Sequence, residues 1–440
     1  MMLSARTRQG GMTLLELMVA LLLGMLLSLA MFSVMTSAEG RRRTLTSVND
    51  TQQAGNYALQ LMEQAVRNAG SGFTQAAPYA FGCKLYAYQS SQSNPQILPT
   101  YNATALPAPF ADTSTGTAGV FRLAPVLILP NQTTPAASGQ KSDVLVVMGG
   151  AEGIGETPTT FSGFATAALL NLSNTVPFAA NDIVLVAQTE PDASTGGVAD
   201  CLIEQVASLT RKTLSLAGLY HVAGSQLAAF SDNSAAMGLG NVTLGKPPQF
   251  QVWGVGEHNT LYSYDLLNTA NDSTRTALAR ADGVFEMHAL YGMDKNCDGK
   301  ISSDEWVKPT DSSYSLAALM AGTVQEVQNR PTSATARASA CSSLTTANDY
   351  LQKILAIRVG LILRTNLQEK AVTTSSNAGG QTVMGTSTQS SITLFADLDA
   401  ASSPPSTAVT YTRSLSDAER LYRYRTLETT IPVRNSLLLP

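Results

Sequence analysis

A run of twelve residues, DKNCDGKISSDE at 294–305, places oxygen-bearing side chains at the spacing that a divalent cation needs. Asp294, Asn296 and Asp298 offer side-chain oxygens at alternate positions, and Gly299 permits the sharp turn that follows. Lys300 then supplies a backbone carbonyl, Ser302 a hydroxyl or a bridged water, and Glu305 a bidentate carboxylate. The flanks are not those of a helix–loop–helix unit. Residues before the run alternate as in a strand, Pro309 follows closely, and the sequence holds no second loop to pair with it. We expect an isolated calcium loop capping a strand, with Ca2+ as its cofactor. A solvated turn rich in Asp and Asn is the competing explanation.

A second chemical feature lies near the N-terminus. The first eleven residues, MMLSARTRQGG, are polar and carry Arg6 and Arg8. From Leu17 to Met35 run 19 residues without a charge, close to the ~20 that cross a bilayer core as a helix. Glu16 is the one charge between Arg8 and Glu39. A carboxylate in so apolar a segment is costly and calls for a partner. Cleavage between Gly11 and Met12 would create an α-amino group close by, which the Glu16 of a neighbouring copy could neutralise. Two simpler explanations compete. A secretory signal ending at Thr36, Ser37 and Ala38 would have an apolar stretch longer than the usual ~7–15 residues, with Glu16 inside it. A single-span anchor leaves Glu16 without a purpose. Arg41, Arg42 and Arg43 oppose Arg6 and Arg8 across the segment, so charge alone does not orient it.

The remaining reactive residue types are sparse. Cys83, Cys201, Cys297 and Cys341 are far apart and form no C-x-x-C pair, which argues against a zinc site. Their even number fits two disulfides in an exported chain. Three pairings are open, and we favour Cys83–Cys201 with Cys297–Cys341. His221, His258 and His288 form no motif with Cys, Asp or Glu, and we expect surface or packing roles for them. The glycine-rich GGAEGIG at 149–155 lacks the Lys-Ser/Thr of a phosphate-binding loop, and no G-x-S-x-G elbow is present. We expect no enzyme activity. The net charge of -4 gives no electrostatic case for a nucleic-acid partner.

The elements that must position these residues follow from periodicity. No proline occurs from Met12 to Ala69. Beyond Arg43 the apolar residues Leu45, Val48, Ala58, Leu59, Met62, Ala65, Val66 and Ala69 fall mostly three or four apart, the stripe of an amphipathic helix. Gly70 and Gly72 supply its stop. A single helix over this span would be about 87 Å long, with Gly40 and Gly55 as its points of weakness. After Gly72 come short β runs at 143–148, 182–187, 283–290 and 355–364. Residues 426–434 suit an antiparallel edge strand, because Pro432 has no N–H to donate. Stretches 89–116, 131–141, 373–391 and 400–410, rich in small and polar residues, suit exposed loops or insertions. The fold class expected is α+β: a long N-terminal helix packed on an antiparallel β-sheet head with loop-rich insertions. Residues 1–11 would be a removed leader and 12–38 a membrane-spanning segment. Residues 39–70 would continue the helix, and 71–440 would form one head.

The segment GMTLLELMVAL, from Gly11 onward, resembles the type IV prepilin signature. The resemblance implies cleavage after Gly11 by a prepilin peptidase, N-methylation of Met12, and a role for Glu16 in guiding assembly. Met12 departs from the Phe most often found there. RNAGSGF at 67–73 with Cys83 nearby, DIVLV at 182–186, GVFEM at 283–287, YGMD at 291–294, AIRVGL at 356–361 and YRTLETTIPVRN at 424–435 are similar to PilW-type minor pilins, in the family's order. The fold implied is pilin-like. The role implied is priming of a type IV pilus and a place at or near its tip, which a head of roughly 370 residues also suits. Implied partners are other minor pilins, the major pilin and a large tip adhesin. The implied location is the inner membrane, single-pass with a periplasmic head, and then the pilus at the cell surface, with twitching motility and adhesion as the processes served. A minor pseudopilin of a type II secretion system and a calcium-dependent adhesin are the alternatives, with an exported hydrolase more remote.

Overall fold

The computed structural model describes residues 13–76, 80–91, 96–98, 106–110, 122–133, 142–151, 157–189, 200–223, 226–230, 232–269, 276–320, 351–368, 390–399 and 409–437. It shows an α+β organisation: a long helix, Leu14–Asn68, followed by a β-rich head of mainly antiparallel sheets. The chain divides into two compact units, Met1–Asp50 and Thr51–Pro440.

In the first unit the helix is apolar all round from Leu17 to Met35, and Leu14 to Met35 expose nearly every large side chain. It belongs to the one helix among the described residues that is long and apolar enough to cross a membrane. Gly40 lies in this unit, and the helix continues through it.

In the second unit the helix buries Gly55, Ala58, Met62, Ala65 and Val66, a stripe at three- and four-residue spacing. The helix is unbroken at Gly55. A Cβ at that position would overlap Leu363 and come within 2.9 Å of Leu427 Cδ1, so the missing side chain is what lets helix and sheet approach. The helix stops where Gly70 and Gly72 adopt φ of +82° and +84°. The freed Ala69 carbonyl accepts a hydrogen bond from Asn435 Nδ2 (2.8 Å), and Gly70 N–H donates to the Met148 carbonyl (2.8 Å).

Four sheets are present among the described residues. A four-stranded sheet runs Trp306–Val307, Val284–Met293, Ile354–Arg364 and Tyr424–Pro432, with the last strand at the edge, where Pro432 is harmless. A five-stranded sheet runs Leu278–Asp282, Thr260–Asp265, Gln249–Gly256, Ser142–Gly149 and Val126–Thr133. An eight-stranded sheet contains Asp182–Gln188 and Cys201–Leu209, and a separate hairpin pairs Ser391–Leu394 with Tyr411–Ser414. One pairing, Leu85–Tyr88 with Cys201–Leu209, is parallel, and the Cys83–Cys201 disulfide sits at its start. Closing a loop of 118 residues, that bond contributes about 2–4 kcal/mol to stability.

The five- and four-stranded sheets are tied together by polar groups as well as by a shared core. Ser142 Oγ donates to the Met287 carbonyl (2.8 Å) and accepts from Met287 N–H (2.7 Å), while Ala289 N–H donates to Asp143 Oδ2 (3.0 Å). The largest apolar cluster takes in Met62, Val146, Met287 and Leu361. Each such fully buried side chain is worth roughly 1.5–3 kcal/mol of transfer free energy. The stretch 89–116 is not all loop: Gln96–Leu98 pairs with Leu85–Tyr88.

Candidate functional site

Glu16 stands in the first turn of the helix, and its carboxylate has a local partner. Thr13 N–H donates to Glu16 Oε2 (3.4 Å), and Glu16 N–H donates to Thr13 Oγ1 (3.3 Å). This reciprocal pair is a capping box, which satisfies two of the N–H groups left free at a helix start and sets a negative charge by the positive end of the helix dipole. The T-x-x-E spacing at 13–16 carries that signal in plain sequence. Gly11 and Met12 lie outside the described residues.

The 294–305 loop joins two strands that pair with each other, through Tyr291 with Val307 and Gly292 with Trp306. Asp294 is buried and accepts hydrogen bonds from Asp298 N–H (3.0 Å) and Gly299 N–H (2.9 Å). Asn296 Oδ1 accepts from Asp298 N–H (2.9 Å), and Asp298 Oδ1 accepts from Lys300 N–H (2.8 Å). Glu305 turns inward to take Lys295 N–H (2.9 Å) on Oε1 and both Ser302 N–H and Ser302 Oγ (2.8 Å each) on Oε2. Burial first, and then the charges of Glu305 and Asp298, push the Asp294 carboxyl above the usual carboxylate range, against the opposing pull of its two N–H donors.

Lys300 and Ser302 thus join Asp294, Asn296, Asp298 and Glu305 in one loop, in the order that a calcium ion uses. The carboxylates are nonetheless held by the loop's own donors. No three His, Cys, Asp or Glu side chains among the described residues are gathered as a metal cage. A carboxylate oxygen has a second lone pair, and a cation here would need Glu305 to turn from its cap. Cys297 is disulfide-bonded. Cys341, the partner we favour for it, lies outside the described residues.

Two of the histidines pack against carboxylates. His288 is buried, with Nδ1 3.3 Å from Asp143 Oδ2 and Nε2 3.6 Å from Glu286 Oε2. Its ring stacks on Tyr411 at 4.2 Å between centroids. Arg413 extends the cluster, with Nε 3.0 Å from Glu286 Oε1 and an Nη 2.6 Å from Glu419 Oε1. Burial alone would lower the His288 pKa; the Asp143 and Glu286 carboxylates outweigh it and push the value up to about 9. His221 Nδ1 likewise lies 2.7 Å from Glu204 Oε2, a fully buried carboxylate. Asp143 is far from His288 in sequence, so no motif could show that contact. Glu286 and His288 sit two apart on one strand, on the same face, and that signal was available.

Residues 253–435 match the family model for type IV pilus-assembly protein W. Residues 6–32 match the model for the prokaryotic N-terminal methylation motif. Over these two segments the chain is similar to PilW-type pilins. No curated protein and no solved structure matches it. The segment that matches the methylation motif spans Gly11, Met12 and Glu16, while the PilW-like segment holds the 294–305 loop, His288 and the edge strand Tyr424–Pro432. Domains of pilin families are structural, non-catalytic units, and the motif with its apolar helix points to membrane anchoring.

Proposed function

We propose that this protein is a minor pilin that primes assembly of a type IV pilus and sits at or near its tip. The observation that carries this is a large PilW-bearing head attached to a helix whose apolar segment is exposed all round. Exposed leucines over some 20 residues are stable only in lipid or against other apolar helices. A head of roughly 370 residues is too bulky to repeat along a shaft.

In this account a prepilin peptidase cuts between Gly11 and Met12, and Met12 is methylated. The pilin waits in the inner membrane with its head in the periplasm. On assembly with the other minor pilins and the major pilin, Glu16 exchanges Thr13 for the new α-amino group of a neighbour. That exchange trades a weak local cap for a charge pair in an apolar surrounding, where attraction is stronger. The 294–305 loop takes calcium through Asp294, Asn296, Asp298, the Lys300 carbonyl, Ser302 and Glu305. The ion would supply positive charge to a loop that holds four carboxylates, and the chain's own part is to order the turn at Gly299.

Deletion of the gene tests the priming role. Surface pili should fall while the major pilin remains in the membrane. Normal piliation and twitching in the deletion strain would remove the proposal.

A further inference from the structure

Outside both matched segments, one end of the eight-stranded sheet carries an unusual surface. The strands Leu169–Asn171 and Thr213–Leu216 lie side by side there, with Leu170 opposite Leu214. Asn171 Nδ2 donates to the Phe164 carbonyl (2.9 Å), Leu172 N–H donates to the Lys212 carbonyl (2.7 Å), and Thr175 Oγ1 donates to the Thr210 carbonyl. These bonds bring the turns at 162–168, 173–177 and 209–213 together.

The turns project apolar side chains into solvent. Val176 is 91% exposed and Phe164 74%, and Leu169 and Leu209 are exposed beside them. Of the seven large apolar side chains exposed on the described part of the head, these four share this one end. The charge there is one-sided. Segments 157–181 and 205–223 contain no Asp or Glu, while Arg211 and Lys212 are exposed and enter no ion pair among the described residues. The protein as a whole is acidic, at -4, so this local excess of cations runs against its composition.

We propose that this end of the head docks on the surface of an anionic phospholipid bilayer. Single apolar side chains on separate turns suit insertion between headgroups, whereas a stable protein interface needs a broad close-packed patch of roughly 800 Å² per side. Arg211 and Lys212 supply the complementary charge, each strengthening attachment to an anionic leaflet by about fivefold at moderate salt. Phe164 and Val176 add apolar contact that salt does not screen.

The full chain, with its helix held in a phosphatidylcholine nanodisc, is mixed with heavy vesicles and sedimented. Vesicles containing phosphatidylglycerol should carry the protein down and vesicles of phosphatidylcholine alone should not. The R211S/K212S double variant should lose at least about tenfold in partition to the anionic vesicles. F164S/V176S should lose affinity at low and high salt alike, while L278S, on a distant exposed strand, should bind as the parent does. In a second measurement, Phe164→Trp should show blue-shifted emission with anionic vesicles, quenched by brominated lipid. Equal sedimentation with both kinds of vesicle, parental binding by both double variants, or an unshifted Phe164→Trp spectrum would overturn the proposal. Capture of a pilus protein by this end without any vesicle binding would do the same.

Discussion

His288 is held between two carboxylates that come from different sheets, and its protonation is therefore coupled to the fold. A histidine whose folded pKa rises from 6.5 to about 9 binds its proton more tightly folded than unfolded. The resulting stabilisation, on the order of 3 kcal/mol, is complete below the unfolded value of about 6.5 and is lost as pH rises through about 9. Denaturant unfolding of the full chain in detergent should give a free energy that falls across that window. His288→Gln should flatten the fall and cost on the order of 3 kcal/mol at neutral pH, because it leaves Asp143 without its cation and Glu286 with Arg413 alone. An unchanged slope in the variant would assign the pH response to other groups. Glu305 permits a separate prediction. Calcium should raise the melting temperature of the parent protein and chelator should lower it, while Glu305→Gln should abolish most of the difference. Indifference of the parent to both additions would leave the loop as a self-capped turn, as its hydrogen bonds already allow.

At the level of elements, the long helix and the face it buries depend on small residues. Gly55 faces Leu363 and Leu427, and Gly283, at φ +79°, passes under Thr51. Gly55→Val should therefore destabilise the head by about 1–3 kcal/mol, although a glycine inside a helix is itself about 1 kcal/mol worse than alanine. Calorimetry of the variant decides between those opposing effects, and a stabilised protein would mean that the helix is free of the sheet at that point. The helix was legible because proline is absent and glycines end it. The strands at 142–149, 182–188, 284–293 and 354–364 were legible as runs of β-branched and apolar residues, and the edge strand through Pro432. Ser234–Asn241 was not: SAAMGLGN is small and glycine-rich, and it is a strand only because Asp182–Gln188 pairs with it. The contact made at Gly55 was not legible either, for a related reason. Local propensity counts glycine as a weakness, whereas its value here lies in a neighbour more than 300 residues away. The calcium-type loop was legible as a donor pattern, but the turning of Glu305 to its own backbone depends on packing that no pattern shows.

The whole molecule combines two parts with opposite relations to water. The head hides its apolar residues within sheets held by the Cys83–Cys201 bond, and the helix before Asp50 exposes its own. Such a chain is stable only where lipid or sister helices cover the helix, and in the function proposed above, processing at Gly11 is the step that converts one setting into the other. Mass spectrometry of the protein purified from its own cells tests this most directly. The account predicts a mature chain that begins at Met12 and carries one added methyl on its α-amino group. A chain that retains its first eleven residues, or one that begins at Glu39, would contradict it.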